Sequence, residues 1–333
     1  MSKICFYGWP RRLGGANMER WHSGKLLSEH HEVIYLKDSD KPVFADDVSL
    51  LEECDDFATR VDFLNQRERF QWIIDNPDVL IIGMCSGAYR NELPFLDEHN
   101  IKNIWVPCMC YAMEPMPIWL HSGIRPTHTV FQSQYQQSQF DQIPDLPQSM
   151  IHGLYSGFGD KPPKRQAGKT ILKLCRPDPA KFANDYWYQC QEIFDKTGYL
   201  TRVVGYSQEV EDKIGPPPGC VSVHEARSMP LAEAFAGCPY LFPGFGACVE
   251  NWPQVAYEAL SHGCLPIFED IGGPSEMNFA SRPVSLASII SVWHRLEHNS
   301  ESLFRSFYSS AAANVKWALE EWLSLIEKLE AMQ

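Results

Sequence analysis

The stretch PGFGACVENWPQVAYEALSHGCLPIFEDIGGPSEM, residues 243–277, follows the short apolar run Tyr240–Phe242. Glycine and proline punctuate its first residues. Trp252–His262 then has the spacing of a helix, with Pro253 suited to the first turn, and Cys264–Phe268 (CLPIF) is a continuous apolar run. Apolar strand, helix and apolar strand in succession describe a parallel sheet whose faces are both covered.

The same alternation extends outward in both directions. Upstream lie a strand at Thr170–Leu174, a helix at Phe182–Asp195, strands at Leu200–Gly205 and Cys220–Val223, and a helix at Leu231–Ala236. Before them, Gly157–Lys169 (GFGDKPPKRQAGK) is dense in glycine, proline and basic residues and reads as a linker. The first half opens with strand Lys3–Tyr7, the turn GWPRRLGGAN, helix Met18–Ser28 and strand Glu32–Leu36, a βαβ unit. Residues 37–66 are acidic and irregular. A helix near Arg67–Asp75, the runs Asp78–Gly83, Asn103–Pro107 and Thr127–Phe131, and a polar helix at Ser133–Phe140 complete that half. The tail, Glu301–Met332, is helical, with an apolar stripe through Phe304, Phe307, Val315, Leu319, Trp322, Leu323, Ile326 and Leu329. The expected fold class is α/β: two Rossmann-like, doubly wound domains facing a cleft. Their expected bounds are 1–156 and 170–300, joined by 157–169, with 301–333 packing back on the first domain.

Composition limits the function classes. The 333 residues carry a net charge of −13, which disfavours a broad phosphate-binding surface and with it a nucleic-acid partner. Eleven cysteines, mostly inside apolar runs, suit reduced thiols in a cytoplasmic protein. Cys108 and Cys110 lack the second half of a zinc signature. The opening MSKICFYGWPRR has no long apolar core, so no signal peptide is expected, and no run is long enough for a membrane helix.

Within 243–277, Glu250 lies just ahead of the expected helix and Glu258 about two turns inside it. One carboxylate can meet sugar hydroxyls and the other a ribose, while the helix amino terminus, with Asn251 and Trp252, faces a diphosphate. Taken alone, such a pair is more often solvated helix surface. The surrounding residues change that reading, because the segment resembles the signature of retaining glycosyltransferases of the GT-B fold, family 4 in particular. The carriers of the resemblance are Glu250, Glu258-Ala259-Leu260, Gly263, Pro266, Gly272-Gly273 and Glu276. In ILKLCRPDPAKF, Arg176 and Lys181 stand where the family clamps the donor diphosphate, and fixed cations there would neutralise a leaving phosphate. Gly14 and Gly15 resemble the family's first turn, where bare backbone approaches the donor. His224 falls where relatives border the base.

The match departs from the family at Pro253, a common glycine, and in WVPCMCYAMEP, where Cys108, Met109 and Tyr111 occupy a region that often holds a histidine. The resemblance implies a nucleotide-diphosphate sugar as co-substrate, front-face transfer with retention, and neither metal nor other cofactor. Asp38 and Asp40 read as a solvated loop rather than a metal site. The acceptor is unreadable; some phage transferases of this size glycosylate modified DNA bases, which stays open as an alternative. A sugar-nucleotide epimerase or a silent nucleotide-binding protein shares the architecture. A nicotinamide enzyme is disfavoured because the first turn lacks Gly-x-Gly-x-x-Gly.

Overall fold

The computed structural model describes residues 2–12, 15–37, 45–63, 65–84, 86–109 and 114–332. They form two units: Met1–Ser156 with Val315–Gln333, and Gly157–Asn314.

The first unit contains seven strands: β1 (Lys3–Tyr7), β2 (Glu32–Leu36), β3 (Ala58–Val61), β4 (Val79–Met84), β5 (Asn103–Val106), β6 (His128–Phe131) and β7 (Gln148–Met150). All pair in parallel, in the order β3-β2-β1-β4-β5-β6-β7. The chain works outward from β1 in one direction and then, from β4, in the other, which is the doubly wound order. The inner strands are apolar at nearly every position because helices cover both faces. Those helices are α1 (Gly15–Leu27), α2 (Ala45–Asp55), α3 (Gln66–Asp75), α4 (Gly87–Glu98), α5 (Met116–His121) and α6 (Gln134–Ser138).

The segment 37–66, expected to be irregular, supplies α2 and β3. As an edge strand, β3 (ATRV) is only partly buried, so it lacks an apolar run. Helix α2 is anchored by Leu50, Leu51 and Cys54 among acidic neighbours. Asp38 and Asp40 lie outside the described residues. At the end of β1, Tyr7 Oη donates to the buried Glu92, which also accepts from Arg69 and, at 3.0 Å, from Gln66. That network satisfies the buried carboxylate.

The second unit holds β8 (Thr170–Leu174), β9 (Leu200–Tyr206), β10 (Val221–Glu225), β11 (Tyr240–Leu241) and β12 (Leu265–Pro266), parallel in the order β10-β9-β8-β11-β12. Its helices are α7 (Tyr186–Thr197), α8 (Gln208–Ile214), α9 (Leu231–Phe235), α10 (Val255–Ser261) and α11 (Leu286–His298). Helix α12 (Ser300–Ala331) contributes residues to both units. In the second unit, Tyr308 Oη takes Gly159 N and Asn314 Nδ2 donates to Tyr257 Oη. In the first, Lys102 Nζ donates to Leu329 O at 2.6 Å.

Two local expectations are corrected. The helix expected from Trp252 begins at Val255, and its first bond runs from Ala256 N to Pro253 O. Pro253 therefore precedes the helix, and Glu258 sits in the first turn rather than two turns in. The strand expected over Cys264–Phe268 is ladder-bonded only at Leu265–Pro266, with Ile267 bridged to Ser281. Of the described helices, none is long and apolar enough to cross a membrane.

Candidate functional site

In the second unit the winding reverses between β8 and β11. Loops that leave neighbouring parallel strands at such a switch point diverge and leave room for a ligand beyond their carboxyl ends. The loop after β8 carries Arg176 and Lys181; the loop after β11 carries Glu250. His224 lies at the carboxyl end of β10, on the same sheet edge, where the register with β9 shifts.

The β8 loop is short and internally bonded. Asp178 Oδ1 accepts Ala180 N at 2.9 Å and caps a 3-10 turn over Pro179–Lys181. From α8, Lys213 Nζ donates to Pro179 O and Phe182 O at 2.8 and 2.6 Å. Gly205, at φ +111°, lies so close to this loop that a Cβ would fall 1.9 Å from Cys175 O. Only glycine allows that approach.

The β11 loop is fixed from several sides. Gln189 on α7 accepts from Phe245 N at 2.8 Å and donates to Phe245 O at 3.0 Å. Gly246 N donates to Glu269 Oε2 at 2.9 Å. Cys248 N donates to Ala180 O at 3.1 Å and so joins the two loops directly. Further along, Gly273 N donates to Glu250 O at 3.0 Å, and a Cβ on Gly273 would lie 1.2 Å from Asn251 O. Gly273 is thereby explained by packing, since it lets the turn Gly273–Glu276 press onto the backbone that presents Glu250, whereas Gly272 is set by its φ of +68°.

Lys181 Nζ donates to Glu250 Oε1. Burial alone would lower the Lys181 pKa; the Glu250 charge and hydrogen bond, with the Cys248 thiol beside them, reverse this and leave it raised. The ammonium stays charged. Glu258 differs. The residue is half-buried, and desolvation pushes its pKa up to about 7. No hydrogen bond or ion pair from the described residues reaches that carboxyl.

The other sequence-expected residues are placed as follows. Arg176 is exposed, with Nη2 only 3.9 Å from Asp178 Oδ2. Asn251 is buried. Trp252 is also buried, its Nε1 donating to Tyr257 Oη at 3.1 Å and its ring edge-on to Phe279, so its indole is part of the core. Gly15 opens α1 in the first unit and is exposed. Gly14 and Tyr111 lie outside the described residues. Among the described residues, no three or more His, Cys, Asp or Glu side chains gather so as to hold a metal ion.

One residue escaped the sequence reading. Lys173, in the middle of β8, is buried, and its Nζ donates to Lys181 O at 2.7 Å and to Pro243 O. The signal was present: a lysine inside the apolar run TILKL.

No family model and no curated protein matches the sequence. Solved structures do match the fold. Anabaena Alr3699/HepE, solved with UDP-glucose, superposes with a TM-score of 0.70 at 11% identity, over 98% of this chain and 100% of that one. TarM of S. aureus gives 0.71 at 10% identity over 98% of both chains. AviGT4, a glycosyltransferase involved in avilamycin A biosynthesis, gives 0.65 at 14% identity over 99% and 98%. The fold is the GT-B fold. Its two parallel sheets are the two described above, and in the second the switch point is where Lys181 and Glu250 meet.

Proposed function

We propose that the protein is a retaining glycosyltransferase, of the family 4 type, that draws its sugar from a nucleotide-diphosphate donor. The reading rests on one observation: a charged Lys181–Glu250 pair stands at the switch point of the second sheet, on the motif that also carries Glu258. In this reading Lys181 and Arg176 take the diphosphate. The incoming phosphate competes for the Lys181 ammonium and frees the Glu250 carboxylate to accept from hydroxyls of the sugar. Glu258 accepts from the ribose diol, and His224 borders the base. Asn251 and Trp252 hold the Glu250 backbone in place from the core side.

As the glycosidic bond breaks, negative charge grows on the leaving diphosphate, and the cations of Lys181 and Arg176 stabilise it more than they stabilise the ground state. The departing oxygen takes the acceptor's proton from the same face, so configuration is retained without a protein base, a metal or another cofactor. The nine cysteines among the described residues are all free, which suits a reducing, cytoplasmic setting. HepE was solved with UDP and with UDP-glucose, which makes a UDP-sugar the first donor to test.

Thermal unfolding with UDP, GDP, ADP and TDP, followed by NMR of the anomeric proton during turnover of the matching sugar donor, tests this. One nucleotide should stabilise the protein by about 2.7 kcal/mol at a hundred times its Kd. The product should keep the donor's anomeric configuration. If no nucleoside diphosphate shifts the transition, the reading is wrong.

A further inference from the structure

A lysine ammonium without a carboxylate partner is costly to bury, so it persists only where its hydrogen bonds do something the fold needs. Lys173 is 1% exposed. Its Nζ lies 4.4 Å from the ring centroid of Phe182 and 4.5 Å from that of Tyr186. Among the described residues no carboxylate is bonded to it. Its bonds go instead to two carbonyls, Lys181 O at 2.7 Å and Pro243 O. The first belongs to the residue whose side chain pairs with Glu250. The second opens the loop that carries Glu250. Desolvation pulls the Lys173 pKa down, opposed in part by nearby thiols and the Glu250 charge.

We infer that Lys173 is a positioning residue: one buried ammonium pegs the loops after β8 and β11 to each other, and so sets the geometry of the Lys181–Glu250 pair. The inference rests on the proposed reading of that pair as the donor site. Two aromatic faces stabilise the cation without supplying an anion that would compete with the carbonyls. The two loops leave adjacent parallel strands at the switch point, and besides the Lys181–Glu250 pair itself they are joined in this region by the Cys248–Ala180 backbone bond. Lys173 meets the donor positions only at the Lys181 backbone carbonyl, so its removal acts through the placement of Lys181 and Glu250.

Lys173→Met, close in length and at home between aromatic rings, is the test. Amide hydrogen exchange over residues 176–182 and 243–250 should quicken by about tenfold or more, with the remaining strands of the second sheet unchanged. Donor turnover should fall about 10- to 100-fold in kcat, with KM for the donor moved less than about threefold, since misplacement of about 1 Å is felt mainly in the transition state. Lys173→Gln, which keeps one donor group, should lie between the two, and it replaces the methionine variant should that one not fold. Unchanged exchange in the two loops, or kcat within about twofold of wild type, overturns the inference. If the wild-type protein turns over no nucleotide-sugar, the donor-site reading has failed, and the exchange measurement alone decides whether Lys173 pegs the loops.

Discussion

Replacing Glu258 with glutamine should make the protein more stable at neutral and alkaline pH while removing its response to a nucleotide. The half-buried carboxyl has no bonded partner among the described residues, and desolvation pushes its pKa from the ordinary 4.5 up to about 7. Below pH 4.5 it is protonated in both folded and unfolded chains and imposes no cost. Between 4.5 and about 7 the unfolded chain releases its proton while the folded one keeps it, so stability falls as pH rises. Above about 7 both forms are ionised and the full penalty applies. At about 1.4 kcal/mol per pH unit that penalty reaches about 3 kcal/mol. Glutamine fills the same volume and never ionises. The stability difference between variant and wild type should therefore be small at pH 4.5 and grow to as much as about 3 kcal/mol by pH 8. Denaturant unfolding of both proteins across that range measures it, and other titrating groups cancel in the difference. With nucleotide added, only the wild type should gain, because ribose hydroxyls donate best to a carboxylate. A difference that stays flat from pH 4.5 to 8 would show that the carboxyl is hydrated, and the argument for its role would go with it.

Lys181→Met leaves Glu250 without its partner. With 16% and 35% of the two side chains exposed, the stability cost should stay near 1 kcal/mol, whereas donor turnover should drop at least about 100-fold. Turnover within a few-fold of wild type would remove Lys181 from the site. Gly273→Ala drives a methyl to 1.2 Å from Asn251 O, and the Gly273–Glu276 turn or the Glu250 backbone has to move. A loss of about 3 kcal/mol and of the nucleotide-induced shift is expected. Gly87→Ala, whose nearest atom would be Arg90 Nη2 at 3.8 Å, should change neither and serves as the control.

The amino-acid sequence by itself determined the layers. Runs such as KICFY, EVIYL and TILKL are apolar because both faces of a parallel strand are covered, and that pattern is local. Strands β1, β2 and β8 lie where the pattern places them. The acidic pair with seven residues between its members and the Gly-Gly turn were legible for the same reason, being fixed by short-range spacing. Edge strand β3 and helix α2 were not, because partial burial leaves no clean periodicity. Tertiary structure alone decided which loops meet. Lys181 and Glu250 are 69 residues apart and touch because β8 and β11 are neighbours in the sheet, an order set by the crossovers and not by either segment. It also decided that Trp252 belongs to the core, that the Glu258 carboxyl loses its water, and that the lysine inside an apolar strand has two carbonyls to bind. Periodicity reports how much of a residue is covered; what covers it depends on segments far away in the chain.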